Sequence, residues 1–364
     1  IAPTTTRTLI ESSRSLRTDR ILPAERRRTI GVMHKPDADT PYGRLTPDVV
    51  LNAIDSAGLV TDGHQLALNS YENRVFQVGL EGGSFVVAKF YRPGRWSDVQ
   101  ILEEHGFIAE LAESEIPAVP ALSIAGNTLH SFEGFRFAIF SRSGGRAPNM
   151  DDPSVREWLG RFLGRIHAVG RAKPYIDRPA LDIATFGVEP RRYLLEGNWL
   201  PPELKSVYDG VSQQALDLIA AQYDRGAHHS LRLHGDCHEG NVLWTDSINN
   251  VGPHFVDFDD SRMGPAVQDF WMLLGAGRAE QTERLADLLE GYEDFAEFDR
   301  RELALIEPLR TLRLLHYSAW IARRWDDPAF PAAFPWFNTH RYWEDRILEL
   351  REQIAAMQEE TIVV

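Results

Sequence analysis

The sequence has one cysteine, Cys237, in 364 residues. That excludes an internal disulfide, leaves no thiolate set for a structural zinc site, and fits a reducing compartment, so a cytoplasmic location is expected. Long apolar runs are also missing. The stretches 85–88 and 271–276 end far short of the ~20 residues that a membrane-spanning helix needs, which argues against a membrane partner. Basic residues are scarce: 39 Lys and Arg stand against 53 Asp and Glu, for a net charge of −14. A nucleic-acid binder would need clustered cations to meet the phosphate backbone, so no nucleic-acid partner is expected.

The few cations are unevenly placed. Residues 1–32 hold seven arginines against three carboxylates, a net +4, which leaves −18 on the remainder. This arginine-, serine- and threonine-rich stretch has no apolar periodicity, and the first methionine is Met33. Residues 1–44 are therefore expected to be a disordered or non-native extension, with the folded part beginning near residue 45. No internal repeat is present, and a monomer is expected.

What is there reads as an ordinary globular chain, 43% apolar and 25% charged. Two β-branched and aromatic runs, 74–80 and 84–91, flank Glu81, Gly82 and Gly83 and read as a hairpin. Ile101, His105, Ile108 and Leu111 then fall at helical spacing within 100–113, and two further strand-like runs follow at 128–132 and 134–141. Beyond Asp151 the pattern turns helical, with an apolar stripe through Val155, Leu159, Phe162, Leu163 and Ile166. Further helical patterns lie at 203–224, 266–275, 280–295, 301–325 and 340–358, and only 231–258 reads as extended. The fold class that follows is α+β, with a small antiparallel-sheet lobe over 45–143 and a larger, mainly helical lobe over 144–364. They meet at a glycine-containing hinge near 141–147, and clefts between such lobes are where small ligands bind.

The chemistry concentrates in His234, Gly235, Asp236, Cys237, His238, Glu239, Gly240 and Asn241, followed by Asp257, Phe258 and Asp259. An Asp and an Asn five positions apart, with a second Asp sixteen residues after the Asn, suit phosphoryl transfer. That reaction needs divalent cations to neutralise phosphate oxygens and a carboxylate to accept the nucleophile's proton. Asn241 and Asp257 offer hard oxygen ligands for Mg²⁺, and Asp236 remains as the base. His234, Asp236 and His238 alternate, so a transition-metal site and a metallohydrolase form a different reading of the same residues. A non-catalytic nucleotide-binding module is a third. His234 and Asp269 are expected to brace the loop, His167 to be a satisfied core histidine, and Cys237 to be a buried small side chain.

The segment resembles the catalytic loop and metal motif of the aminoglycoside phosphotransferase and choline kinase superfamily, a divergent branch of the protein-kinase fold. Stretches 69–77, 89–96, 101–105, 231–238 and 255–271 further resemble the bacterial stress response kinase A family, over nearly all of 45–345. The resemblance implies a two-lobed kinase fold and an ATP- and Mg²⁺-dependent Ser/Thr protein kinase. It assigns Asp236 and Asp257 to catalysis, Asn241 and Asp257 to metal, and Ser70 to the ATP phosphates. Lys89 would contact the α and β phosphates and pair with an acidic helix residue, Glu104 or alternatively Glu103. His238 stands where many kinases have a phosphate-contacting lysine. No glycine occurs over 70–73, so side chains such as Ser70 and Asn73 would have to help there. Gly235 replaces the arginine that reads an activation-loop phosphate, and Ser261 is the only hydroxyl between Asp257 and Asp269, so regulation by that switch is not expected. The acidic body suits a cationic acceptor, a basic peptide or, as the runner-up activity, an amino-containing alcohol or aminoglycoside.

Overall fold

The protein is described here from a computed structural model covering residues 40–68, 70–225, 229–247 and 250–364. Of the expected N-terminal extension, residues 1–39 lie outside the described residues. Residues 40–44 do not behave as an extension: Tyr42 is buried, its hydroxyl donates to the carbonyls of Glu72 and Phe90, and Arg74 lies over its ring. The aromatic ring at this position supplies apolar area that the small sheet needs, and composition averaged over the segment conceals it.

The first helix, α1 (Pro47–Ser56), starts where Thr46 accepts the amide of Val49 and Pro47 occupies the first turn. Five strands follow in an antiparallel sheet: β1 (Thr61–Leu68), β2 (Arg74–Leu80), β3 (Phe85–Phe90), β4 (His130–Phe132) and β5 (Phe135–Ser141), in the order β1-β2-β3-β5-β4. The expected hairpin is present as β2–β3, closed by Gly82 and Gly83 at positive φ. Strand β1 was not legible in the sequence, because only Thr61 and Gln65 are partly buried on this edge and no alternation results. Helix α2 (Asp98–Glu113) begins with a reciprocal cap between Ser97 and Gln100 and packs Phe107, Ile108 and Leu111 inward.

The remainder is mainly helical: α3 (Pro153–Ala172), α4 (Glu189–Glu196), α5 (Pro202–Arg225), then a short β6 (Leu231–Arg232), the hairpin β7 (Val242–Ser247) and β8 (Asn250–Phe255), β9 (Met263–Gly264), α6 (Gln268–Trp271), α7 (Arg278–Tyr292), α8 (Ile306–Ala322), α9 (Ala329–Ala333) and α10 (His340–Ala356). Three expectations need correction. The helix expected at 266–275 is only a single turn, because Gly264, Pro265 and Gly275 bound it. The pattern at 301–325 opens as a 3₁₀ turn, Arg300–Leu305, before α8 begins. The region 231–258 is a strand pair plus loop, since Asp236 to Asn241 must turn tightly.

Helices α3 and α7 pack at close range. A Cβ at Gly160 would collide with the carbonyl of Leu288, and one at Gly164 would sit 2.6 Å from the carbonyl of Tyr292. This contact buries Leu159, Leu163, Leu285, Leu288 and Tyr292 beneath the loop 233–241. Gly160→Ala should overpack the pair and lower stability by about 1–3 kcal/mol. A denaturant titration would reveal it, and an unchanged midpoint would contradict the close packing.

Candidate active site

The loop between β6 and β7 is held from beneath by one buried carboxylate. Asp269 of α6 accepts the amides of His234 and Gly235, both at 2.8 Å, and faces His167 Nε2 of α3 at 3.1 Å. His167 is completed by the Tyr292 hydroxyl at 3.1 Å. Within the loop His234 Nε2 donates to the Val256 carbonyl at 3.0 Å, and Nδ1 lies 3.4 Å from the amide of Asp236. Both ring nitrogens are thus spent on backbone, and His234 is not free to join Asp236 and His238 around a metal. Gly235 has φ +88, and a Cβ there would run into the carbonyl of Asp260. The position lacks an arginine because it lacks room for any side chain.

This bracing presents Asp236 to an interlobe cleft of about 520 Å³, within the range of small-molecule sites. Ser70, His238 and Asp257 line the same cleft. Asn241 Nδ2 donates to the carbonyl of Asp236 at 2.9 Å, which fixes the amide beside the loop. His238 Nδ1 accepts the Gly240 amide at 3.0 Å and its Nε2 lies 3.5 Å from Asp236 Oδ2, so its outward nitrogen faces the carboxylate.

Behind Asp257, Lys89 of β3 is almost enclosed, with 8% of its side chain exposed. Its ammonium lies 3.0 Å from Asp257 Oδ1, 3.3 Å from Asp259 Oδ1 and 3.7 Å from Glu104 Oε1. Burial disfavours the charged form, but Asp259, Asp257 and Glu104 together outweigh it and hold the lysine pKa well above its ordinary value. Asp257 keeps 53% of its side chain exposed and sits at φ 62, ψ 61, a left-handed conformation that is costly for a non-glycine residue. The next residue, Phe258, is buried between the His234 ring at 4.3 Å and Phe107 of α2 at 6.0 Å. The aspartate is therefore turned outward as the phenylalanine is packed inward.

Glu104 rather than Glu103 faces Lys89. Glu103 instead accepts the amides of Ile176, Asp177 and Arg178. The nearer partner of Glu104 is Arg178, at 2.8 Å, a buried residue that also donates to the carbonyls of Asp259 and Ser261. Arg95 binds Asp259 and lies 2.6 Å from Asp260. Neither arginine belongs to a recognisable motif. Their one shared signal is that a run of three aspartates, 257, 259 and 260, requires counter-charges from elsewhere.

One other expectation changes, and Ser261 has a structural role. Asn73 does not stand free for phosphate: its Oδ1 accepts the amide of Arg92 at 3.1 Å. Its neighbour Glu72 instead ties the β1–β2 loop to α8, accepting from Trp320 Nε1 at 2.6 Å and Arg324 Nη2 at 3.0 Å. Ser261 is fully buried, donates to the Leu233 carbonyl at 2.6 Å and meets the Tyr175 hydroxyl at 2.6 Å. It is out of reach of a modifying enzyme, and its replacement by alanine would strip partners from buried groups, so such a variant does not report on regulation alone.

An antiparallel-sheet lobe carrying a buried Lys–Glu pair, set over a helical lobe with an Asp/Asn loop and an outward Asp, defines a kinase-like phosphotransferase. The chain belongs to the phosphotransferase enzyme family, whose profile matches residues 64–306, and within it to the stress response kinase A group. It is 44% identical over 318 residues to stress response kinase A of Escherichia coli (strain K12), covering 87% of this chain and 95% of the relative. It is 42% identical, with the same coverage, to serine/threonine protein kinase RdoA of Salmonella typhimurium (strain LT2). Among solved structures, amicoumacin kinase hAmiN in complex with AMP-PNP, Ca²⁺ and Ami matches with TM-score 0.65 at 20% identity, covering 85% of this chain and 93% of that one. A microcompartment-associated aminopropanol kinase matches with TM-score 0.66 at 16% identity, covering 85% and 97%. These two likenesses show the fold.

Arg178→Gln should leave Glu104 buried beside too few cations and lower stability by about 3–5 kcal/mol. Chemical denaturation measures this, and a loss below about 1 kcal/mol would show that Lys89 alone compensates Glu104.

Proposed function

We propose that the protein is an ATP- and Mg²⁺-dependent Ser/Thr protein kinase. The observation that carries this reading is the Lys89–Asp257 pair at 3.0 Å, whose Asp257 lines the same cleft as Asp236. A serine/threonine acceptor is favoured by the names of relatives that align over most of this chain. The acidic composition agrees with the absence of a nucleic-acid partner from this reading. A cytoplasmic monomer completes it. No helix among the described residues is long and apolar enough to cross a membrane.

Among the described residues no three His, Cys, Asp or Glu side chains are grouped to hold a metal by themselves. Asp257 and Asn241 contribute hard oxygens beside a cleft large enough for a nucleotide, and this donor set fits Mg²⁺ shared with phosphate oxygens. When bound, Mg²⁺ neutralises charge on the transferring phosphoryl group. Lys89 would hold the α and β phosphates while Glu104 and Arg178 keep its ammonium in place. Ser70, from the glycine-free loop over the cleft, would donate to phosphate oxygens. His238 would add a donor near the transferring group. Asp236 would orient the acceptor hydroxyl and take its proton.

Phosphorylation of an amino-bearing small alcohol is the second reading, in keeping with the acidic net charge. The Arg313 guanidinium 2.7 Å from Asp236 disfavours it, because a cationic acceptor would meet a like charge at the reacting position. Incubation with labelled ATP and panels of proteins, amino alcohols and aminoglycosides separates the two.

Asp236→Asn should leave nucleotide binding intact and lower transfer by roughly 10² to 10⁴. An unchanged rate would remove Asp236 from the mechanism. Asp257→Ala should abolish the Mg²⁺ dependence of ATP binding. Calorimetric titration with and without the metal tests this, and an unaltered metal response would mean that Asp257 is not a ligand.

A further inference from the structure

The overall charge of the protein is negative and the cleft also carries Asp257, Asp259 and Asp260, but two arginines stand beside Asp236. Arg313, on α8, places Nη1 2.7 Å from Asp236 Oδ1, and 28% of its side chain is exposed to the cleft. Arg262 lines the same wall with 7% exposed, 3.0 Å from Asp260 and 4.7 Å from the Phe186 ring. His316, one turn after Arg313, stacks on Phe186 at 4.3 Å, and burial, followed by Arg262, pushes its pKa down to about 3. It is neutral and adds no compensating charge.

Arg313 occupies the place that an acceptor must reach. A hydroxyl that gives its proton to Asp236 has to approach within hydrogen-bond distance of that carboxylate, about 2.6–3.2 Å. While paired in this way Asp236 Oδ1 is taken up by the guanidinium and is closed to an incoming hydroxyl. When the hydroxyl arrives, the guanidinium loses part of its partner in a partly enclosed cleft, which is costly unless another anion takes it up. A planar guanidinium is best satisfied by a carboxylate, through two parallel hydrogen bonds.

We propose that Arg313 is a specificity-determining residue that reads a carboxylate on the residue flanking the phosphorylated serine or threonine. This rests on the protein-kinase reading above. The acceptor's acidic side chain draws Arg313 away, and Asp236 Oδ1 is opened to the hydroxyl that settles against it. The hydroxyl oxygen then forms a bond to the γ-phosphorus, its proton passes to Asp236, and the bond to ADP breaks with its electron pair leaving on ADP. A basic flanking residue would face Arg313 and Arg262 and would leave Arg313 on Asp236. The preference is therefore opposite to what net charge alone implies.

Two short peptides test this, each with one central serine flanked on both sides by Asp or, in the second, by Asn. Their affinities for the full chain loaded with Mg²⁺ and AMP-PNP are measured by calorimetry, and their kcat/KM values with Mg²⁺ and ATP. The Asp peptide is expected to be favoured by about tenfold in both. In Arg313→Gln the ratio should fall to about one, and Arg313→Lys should restore part of it. Nucleotide affinity of each variant confirms that the fold is intact. Equal affinities in the unaltered protein, or a ratio preserved in Arg313→Gln, would overturn the assignment. An Arg313-dependent binding preference without phosphate transfer would support acceptor reading while removing the protein-kinase activity itself.

Discussion

Everything at this site depends on a charge that is nearly cut off from water. The Lys89 ammonium is surrounded by carboxylates of Glu104, Asp257 and Asp259, and these are in turn held by Arg178 and Arg95. No member of the set would tolerate burial alone, since isolating one ion from water costs several kcal/mol. Together they fix the distance between strand β3, helix α2 and the loop that carries Asp257. The cluster therefore acts less as a source of net stability than as a gauge of the geometry between sheet and helices.

The acceptor side is set by a different device. Asp269 satisfies two loop amides and His167 at once, so the loop bearing Asp236 is anchored to α3 and α6 rather than to the sheet. Lys89 and Asp236 are thus positioned by separate supports that meet only across the cleft. Ser261 and Gly235 complete the second support from inside and tie the segment after Asp257 to the loop. On the open face, Arg313 holds Asp236 and Glu72 bridges the β1–β2 loop to α8.

The sequence is informative where function and chain order coincide. Asp236, Asn241 and Asp257 lie on one loop and hairpin, and the spacing of their oxygen ligands reads directly as phosphoryl-transfer chemistry. The β2–β3 hairpin was equally legible, because two glycines supply the positive φ angles its turn requires. Strand β1 and the buried Tyr42 were not, since an edge strand shows little alternation and a single ring is lost in a polar segment.

Residue types and local spacing by themselves marked Asp236, Asn241 and Asp257 as candidates and determined the α+β class and the acidic balance. Only the tertiary structure decided that Glu104 rather than Glu103 meets Lys89, because both lie on α2 and one rotates inward while the other caps a distant loop. It alone brought Arg178, Arg95 and Arg313 to the carboxylates, across separations of 74, 164 and 77 residues. Ion pairs between remote segments carry no periodic signature, since any arginine in an acidic chain has many possible partners until packing brings one within reach.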